Sequence, residues 1–211
     1  MKVPAIQTRK GFTLIEILVA STILIVLAAT MWEARGWIEA KSVRSEAEQQ
    51  IKLLEAGMNA YKADNGGILP FGRGDEYSSH VLYKALNCDD DDDGEPDKED
   101  GVTRMPYCPS LSVVKSSKET EVVEGIPVRR AKIVMKEGGK RISGKHFLIY
   151  DPWGMPYRYR LGFQTEDEKG KAGSGVNPDF DIFSLGPDTL GDGKDNSGDN
   201  SDNISNVRSW K

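Results

Sequence analysis

One long apolar segment near the N-terminus, interrupted by a single charge, constrains this chain more than any other feature. From Phe12 to Trp32 the only ionisable side chain is that of Glu16. The segment matches the length of about 20 residues that an α-helix needs to cross the hydrocarbon core of a bilayer. A carboxylate in such a helix requires a cation or a protein interface. The sequence therefore predicts a membrane helix that packs against other copies near Glu16.

A short basic leader precedes this segment and ends in glycine. Its three basic residues agree with the excess of positive charge on the cytoplasmic side of membrane helices. If the chain is cut after Gly11, the new α-amino group of Phe12 carries a positive charge at neutral pH. That amine can pair with Glu16 of a neighbouring subunit, and the pairing would set the register between packed helices.

The leader and the start of the apolar segment resemble the class III signal of type IV pilins and pseudopilins. In that family a basic leader ends in glycine, phenylalanine follows, and glutamate is fifth in the mature chain, as for Gly11, Phe12 and Glu16 here. The resemblance implies that a prepilin peptidase cleaves after Gly11 and methylates the amine of Phe12. The helix would then serve as membrane anchor and polymerisation stem. An ordinary signal peptide or signal anchor is the alternative, since it needs only a basic start and an apolar core.

The helix is predicted to continue beyond the apolar segment in amphipathic form. Apolar residues recur at spacings of three, four or seven between Trp37 and Tyr61, and Asp64 with the following Asn-Gly-Gly supplies a C-cap. Short apolar runs follow and predict strands. These runs cover residues 111–114, 122–128, 130–135, 147–150, 157–161 and 180–185, with a short helix near residues 80–86. A long helix followed by strands predicts an α+β fold, with the helix packed on a small antiparallel sheet in a pilin-like arrangement.

The predicted organisation has three parts. A leader peptide covers residues 1–11, a transmembrane and amphipathic helix covers 12–66, and a globular domain covers 67–211. The globular domain includes an acidic insertion at 88–108 and a loop at 185–206. The formal net charge of -5 is unremarkable, and no basic patch with interleaved aromatic residues predicts a nucleic-acid partner.

The last third of the chain resembles the major pseudopilin of type II secretion systems. Residues 151–157 read Asp-Pro-Trp-Gly-Met-Pro-Tyr, and residues 180–188 read Phe-Asp-Ile-Phe-Ser-Leu-Gly-Pro-Asp. In that family the first motif opens a strand, and the second leads from a strand into a calcium loop closed by an Asp-Ile-x-Asn-Trp-like segment. The counterpart here is Asp202 to Asn206, but Val207 stands where the family has tryptophan.

The loop that begins at Asp188 carries many carboxylates and amides among glycines. Hard oxygen ligands on a pliable backbone suit Ca²⁺, which takes six to eight oxygens. The resemblance places Asp188, Asp202 and Asn203 at ligand positions. The candidate calcium ligands of this C-terminal loop are Asp188, Asp192, Asp195, Asp199, Asp202 and Asn203. A solvated acidic tail is the alternative.

A second acidic cluster, inside the insertion, matches the template of a calcium loop. Asp89, Asp91 and Asp93 with the following glycine match its Asp-x-Asp-x-Asp-Gly opening, although a run of five aspartates matches such a template easily. Its twelfth position is aspartate, where a bidentate glutamate is usual. The candidate ligands here are Asp89, Asp91, Asp93, Asp97 and Asp100. A charged surface insertion is the alternative.

The only two cysteines, Cys88 and Cys108, flank this insertion. Outside the cytoplasmic membrane they would meet oxidising conditions, so a disulfide between them is predicted. Closing a loop of this size would stabilise the fold by roughly 3 kcal/mol. A zinc site at the cysteines is not predicted, because zinc sites need more Cys or His and the chain has only His80 and His146. Each histidine is interpreted as a surface or internally satisfied residue.

These features predict a structural subunit and not an enzyme. The sequence has no nucleophile elbow, phosphate loop or zinc-protease motif. By resemblance, a single span would anchor the subunit in the bacterial inner membrane, with its globular domain in the periplasm and Ca²⁺ as cofactor. Its partners would be copies of itself in a homopolymeric filament, the prepilin peptidase, other pseudopilins and the inner-membrane secretion platform. A type IV pilus or competence pilin is one alternative, and a membrane-anchored calcium-dependent binding module is another.

Overall fold

The structure is a computed structural model that describes residues 12–114, 124–137, 140–165, 173–188 and 204–206. Side chains are described within these ranges except at residues 30–37, 135–137 and 140–142. The chain divides into two compact units, Met1–Ser42 and Val43–Lys211.

Helix α1 spans Leu14–Asp64, a length of 51 residues. The side chains of residues 14–29 are all exposed within their own unit. Among the helices that the structure describes, none is long and apolar enough to cross a membrane. The side chains at the end of the predicted span, residues 30–32, lie outside the described part of the chain.

In the second unit, α1 buries one face against the rest of the domain. Ala47, Ile51, Leu54 and Met58 repeat at helical spacing and are at most 2% exposed, as expected for the apolar stripe of an amphipathic helix. Gly57 lies on the same side of the helix, where an added Cβ would sit only 2.8 Å from a side-chain carbon of a neighbouring helix and 3.0 Å from a backbone oxygen. Glycine therefore permits close approach at this point, and its low helix propensity is offset by packing.

The end of α1 has the C-cap chemistry that the sequence predicts. Gly66 and Gly67 adopt left-handed backbone conformations, with φ of 64° and 90°. The backbone N–H of Gly67 donates to the carbonyl of Lys62 at 2.8 Å. A left-handed glycine ends a helix at low steric cost because it has no Cβ.

A second helix and three small sheets complete the domain. Helix α2 spans Ser78–Asn87 and buries Leu82, Tyr83 and Leu86. The first sheet is a hairpin inside the acidic insertion, formed by strands β1 (Lys98–Glu99) and β2 (Val102–Thr103). The second sheet has the order β3 (Leu111–Val114), β4 (Ile126–Glu137), β5 (Lys140–Ile149). The third has the order β6 (Arg158–Leu161), β7 (Phe180–Ser184), β8 (Ile204–Ser205).

The predicted α+β class is confirmed, with differences in strand detail. The second sheet is mixed, because β3 pairs with β4 in parallel while β4 and β5 are antiparallel. The two runs predicted at 122–128 and 130–135 belong to one strand, since the β4–β5 ladder continues without a break through Arg129. Residues 122 and 123 lie outside the described part of the chain.

Aromatic side chains connect helix α1 to the third sheet. Tyr157 and Tyr159 are fully buried, and the hydroxyl of Tyr157 donates to Oε1 of Gln50 at 2.9 Å. A buried tyrosine hydroxyl needs a hydrogen-bond partner, and the side chain of Gln50 provides one for Tyr157. Trp153 packs partly buried against the same core. The two tyrosines therefore form part of the packing that positions β6 and β7.

Candidate functional site

The first candidate site is the start of helix α1, where Thr13 and Glu16 bond reciprocally. The backbone N–H and the hydroxyl of Thr13 each donate to Oε2 of Glu16 at 2.8 Å. The N–H of Glu16 lies 3.3 Å from the hydroxyl oxygen of Thr13, which accepts its hydrogen bond. This is a capping box, in which a threonine and a glutamate three residues later satisfy otherwise unpaired N–H groups of the first turn. Glu16 thus has partners within its own chain before any subunit interface forms.

The structure describes only one of the two residues at the predicted cleavage point. Phe12 is 84% exposed, and Gly11 lies outside the described residues. Ile15, Val19 and Ile23 lie next to Glu16 along the helix and are lined up beside a shallow apolar groove. The arrangement presents one carboxylate within an apolar surface, as the sequence predicts for a packing helix.

The second candidate site begins at the turn that follows β5, which Asp151 organises. Its Oδ1 accepts hydrogen bonds from the backbone N–H groups of Trp153 at 3.0 Å and Met155 at 2.8 Å. Its Oδ2 accepts from the hydroxyl of Ser184 at 2.5 Å, and that hydroxyl oxygen accepts from the N–H of Gly186. Asp151 therefore joins the motif at 151–157 to the end of β7. The sequence analysis identified both motifs but did not predict the hydrogen bond between Ser184 and Asp151.

Substitutions at Asp151 are expected to distinguish what its hydrogen bonds contribute to stability from what its charge costs. Burial raises the pKa of Asp151, although hydrogen bonds from Ser184 and nearby N–H groups lower it in part. A raised folded-state pKa means that the stability from the neutral acid is present at low pH and is lost as pH rises through the folded pKa. We expect Asp151→Asn, a neutral isostere, to match the native chain in acid and to gain in relative stability towards neutral pH.

Denaturation with urea at several pH values measures this effect, and Asp151→Ala is the matched control. Alanine leaves the N–H groups of Trp153 and Met155 without their acceptor, which costs about 1–3 kcal/mol. That loss should be present across the pH range. A difference between Asp151→Asn and the native chain that does not change with pH would contradict the prediction.

The base of the C-terminal loop is held by the β7–β8 ladder. Ser184 pairs with Ile204 and Phe183 pairs with Ser205, so the loop between them leaves and returns at adjacent points. Asn206 is 8% exposed and fastens the closing strand: its Oδ1 accepts the N–H of Ile182 at 2.9 Å, and its own N–H donates to the carbonyl of the same residue. The motif predicted this closing segment, but its anchoring role at Asn206 emerges only from the structure.

The ligands predicted for the C-terminal loop are mostly beyond the described residues. Asp188 is described and exposed. The remaining candidates, Asp192, Asp195, Asp199, Asp202 and Asn203, lie outside the described part of the chain. Their assignment as calcium ligands stays a prediction.

The acidic insertion brings together three of its five predicted ligands. Carboxylate oxygens of Asp89, Asp91 and Asp93 all lie within 4.8 Å of one another. Asp89 is fully buried and accepts from the N–H of Gly94 at 2.8 Å. Gly94 has a φ of 94°, and an added Cβ would lie 2.9 Å from the Phe147 ring. A glycine at this sixth position is what the sharp turn of a calcium loop requires.

The other two predicted ligands stand outside this group of three. Asp97 instead accepts the backbone N–H of Asp90 at 2.6 Å through Oδ2. Asp100 is exposed in the turn between β1 and β2, with a φ of 51°. Within the group, desolvation and the neighbouring negative charges, foremost Asp93, raise the pKa of Asp91. A cation would relieve that repulsion.

Both cysteines are in the thiol form in the structure, and the disulfide between them stays a prediction. Cys88 and Cys108 are both buried free thiols. The thiol of Cys88 points to the carbonyl oxygen of Met105 at 3.6 Å, a contact that occupies its sulfur. Burial raises the pKa of both thiols, which favours the protonated form.

Sequence reasoning missed an assembly of the two histidines. The rings of His80, on α2, and His146, on β5, have centroids 4.4 Å apart. Burial lowers the pKa of His80, with the charge of Asp92 opposing and that of His146 adding to the effect. A ring held neutral in this way keeps a lone pair for a ligand. The two histidines are far apart in the sequence, so no sequence motif predicts their contact. The contact depends on how β5 packs against α2.

Comparison with known proteins identifies the N-terminal segment. Residues 6–32 match the family described as the prokaryotic N-terminal methylation motif. The match supports a prepilin-processed, type IV pilin-like protein. The motif implies processing by prepilin peptidase, polymerisation in the manner of pilins, and membrane anchoring through the N-terminal helix. Proteins with this motif are structural subunits and not enzymes.

The other comparisons add no relative. No curated protein and no solved structure matches the chain. The match to the methylation motif covers the start of α1 and leaves the globular unit unassigned.

Proposed function

We propose that this chain is a structural subunit of a type II secretion pseudopilus. A prepilin peptidase cleaves it after Gly11 and methylates the amine of Phe12. The mature subunit is a single-pass protein of the bacterial inner membrane with its globular unit in the periplasm. It polymerises through α1 with itself and with other pseudopilins on the secretion platform, and the filament drives protein export.

The observation that carries this proposal is the methylation motif at residues 6–32. It supports a filament subunit, and the start of α1 has features that suit that role. Glu16 lies beside an apolar groove in the first part of α1, where the apolar side chains of residues 14–29 are exposed. Exposed apolar surface of this extent needs a lipid or protein environment. A filament core at the membrane provides both.

Support for secretion over a pilus comes from the globular unit. The motifs at 151–157 and 180–188 resemble those of the major pseudopilin, and Asp151 bonds to Ser184 between them. A type IV pilus or competence pilin shares the N-terminal motif but does not usually carry this pair. The pair of motifs therefore favours the secretion subunit as the first candidate and leaves the pilin as the alternative outcome of a test.

Processing and secretion can be tested in one experiment. The gene would be expressed in a secretion-competent bacterium that lacks its major pseudopilin, with and without prepilin peptidase. We expect mass spectrometry to find a methylated N-terminus at Phe12 only when the peptidase is present. We also expect restored export of secreted enzymes. Surface pili without restored export would favour the pilin alternative, and an uncleaved chain would contradict both.

Calcium is the proposed cofactor of both acidic loops. The oxygen donors of Asp89, Asp91 and Asp93 form a hard ligand set, which suits Ca²⁺ better than softer metals. The resemblance assigns a second ion to the loop that starts at Asp188. Bound Ca²⁺ supplies charge neutralisation and oxygen coordination, which order a glycine-rich backbone.

Calcium removal is expected to lower thermal stability. A ligand present at about 100 times its dissociation constant stabilises the folded chain by about 2.7 kcal/mol, and chelation removes that gain. Calorimetric titration of the full-length chain in detergent should show saturable binding that Asp188→Ala and Asp91→Asn each reduce by one site. Glu99→Gln is the matched control, because this neighbouring carboxylate is exposed and is not one of the candidate ligands. A melting temperature that chelation leaves unchanged would contradict the calcium proposal.

A further inference from the structure

The two histidines of the chain converge with one aspartate on a site separate from the calcium candidate. His80 comes from the first turn of α2, His146 from β5, and Asp92 from the loop that follows α2. A ligand atom from each of the three residues lies within 4.8 Å of the other two. The chain contains only these two histidines. Three separate segments of the chain therefore bring both of its histidines together with Asp92.

Four of the five aspartates in the run divide between the two sites. Asp89, Asp91 and Asp93 face one another. Asp92, which lies between two of them, has a left-handed backbone with a φ of 63° and places its carboxylate with the histidines. The site at Asp92 thus has a nitrogen-rich donor set, whereas the neighbouring group has oxygen alone. The two donor sets suit different metals.

Two donor atoms of this site lack a hydrogen-bond partner among the described residues. These atoms are Oδ1 of Asp92 and Nδ1 of His146, and both are buried. A buried polar atom without a partner costs about 1–3 kcal/mol. Nδ1 of His146 is 3.4 Å from Oδ2 of Asp92 without forming a hydrogen bond. A ligand from outside the protein would satisfy both atoms.

The geometry fits a small tetrahedral cation. Ligand atoms bonded to zinc at about 2.0–2.1 Å lie about 3.3 Å from one another, close to the 3.4 Å between His146 and Asp92. Nδ1 of His80 lies 3.3 Å from the carbonyl oxygen of Phe147. Metal-ligating histidines commonly donate their other N–H to a backbone carbonyl, which fixes the ring and its tautomer. The side chains of Asp92 and His146 remain 17% and 22% exposed, which gives an ion a path of entry.

We propose that His80, Asp92 and His146 bind a divalent transition-metal ion, with Zn²⁺ as the best fit. Two imidazoles and one carboxylate form a three-ligand set, and water completes the coordination. The ion would fasten the acidic insertion to α2 and β5. It would neutralise Asp92 without requiring two adjacent histidines to carry a charge. This site is independent of the proposed secretion role and of the calcium loops.

Zinc titration of the full-length chain tests the proposal. The protein would be purified in detergent without a histidine tag, stripped with a chelator and titrated with Zn²⁺ in the presence of excess Ca²⁺. We expect one zinc ion per chain and a higher melting temperature. Titration with Co²⁺ should give the intense visible absorption of a tetrahedral site.

Matched variants locate the ion. His146→Gln and Asp92→Asn each remove one ligand at a partly exposed position. We expect each to weaken zinc binding by more than about 10-fold, because loss of a residue that only hydrogen-bonds to a metal ligand already costs at least that much. Asp90→Asn alters the adjacent aspartate of the same run and should leave affinity unchanged, as should Cys88→Ser. Circular dichroism of the metal-free variants checks that they remain folded.

Four results would each overturn the proposal. The first three are zinc binding with native affinity in folded His146→Gln, displacement of zinc by Ca²⁺, and no zinc binding by the native chain. In the third case the three side chains form only a loose histidine–carboxylate cluster. Retention of zinc by Asp92→Asn together with its loss in Cys88→Ser would assign the ion to the thiols and equally exclude this site.

Discussion

Arg160→Met is expected to lower the free energy of unfolding by about 3–5 kcal/mol, because it leaves a buried carboxylate without its cation. Arg160 on β6 is only 4% exposed and Asp181 on β7 is fully buried. Nη2 of the arginine lies 3.1 Å from Oδ2 of the aspartate. Oδ2 and Oδ1 of Asp181 also accept the backbone N–H groups of Val176 and Asn177, at 2.7 and 2.8 Å. The pair therefore connects two strands and the loop before β7.

Urea denaturation followed by tryptophan fluorescence measures this loss, and the chain offers a matched exposed pair. Lys62 and Asp179 are 2.7 Å apart, but their side chains are 30% and 48% exposed. Solvent screens such a pair, and breaking it costs at most about 1 kcal/mol. We expect Lys62→Met to stay within that limit. The contrast isolates the effect of burial, since each substitution replaces one cation by methionine.

A double substitution distinguishes the ion pair from packing. Asp181→Asn removes the charge that Arg160→Met leaves unpaired, while its amide oxygen still accepts from one of the two loop N–H groups. The other N–H group loses its acceptor, so Asp181→Asn has a loss of its own. The double variant should still be more stable than the sum of the two single losses predicts, with a coupling between about 0.5 and 3 kcal/mol. Losses that simply add would show that the pair contributes through packing and not through charge.

Helix α1 was the part of the fold most accessible to sequence reasoning. Its apolar stripe in the second unit, its end at Asp64 and its C-cap all depend on residues close together in the chain. The capping box at Thr13 and Glu16 has the same local character and follows a known three-residue spacing. The sequence analysis interpreted Glu16 only as a charge for pairing between subunits, so it did not predict this hydrogen-bonding role.

Strand ends and pairings were less accessible for a physical reason. β5 begins at Lys140, well before the predicted apolar run at 147–150. Its early residues are mostly polar and gain their strand conformation from the long ladder with β4, a non-local partner. The short strands β1 and β8 have two residues each, too few for any periodic pattern to show. Tertiary pairing determines such segments more than their own propensity.

The candidate sites divide in the same way. The alternating aspartates were visible because calcium-loop ligands follow one another along the chain. The site of His80, Asp92 and His146 was not, since its ligands come from a helix, a loop and a strand that meet only after folding. The bond from Ser184 to Asp151 is also non-local. Sequence motifs can predict a site whose residues lie close together in the chain. A site whose residues come from distant segments is visible only in the structure.

Glu16→Gln is expected to abolish filament assembly while leaving membrane insertion and cleavage after Gly11 intact. In the proposed filament the carboxylate of Glu16 pairs with the amine of Phe12 in a neighbouring subunit, inside an apolar packing layer. Glutamine cannot supply the charge, and the amine would be buried unpaired at a cost of about 3–5 kcal/mol per interface. That loss recurs at every subunit, so it prevents polymerisation instead of weakening it slightly. Electron microscopy of sheared filaments and secretion assays measure the result.

The capping box makes this substitution unusually informative. The amide oxygen of glutamine can still accept from the N–H and hydroxyl of Thr13, so Glu16→Gln retains the local hydrogen bonds of the helix start. Thr13→Val is the converse control, because it removes the hydroxyl, costs about 0.5–2 kcal/mol of helix capping and keeps the charge. We expect Thr13→Val to assemble and Glu16→Gln to fail. The reverse result would show that Glu16 acts by starting the helix, and intersubunit charge pairing would then have no part in assembly.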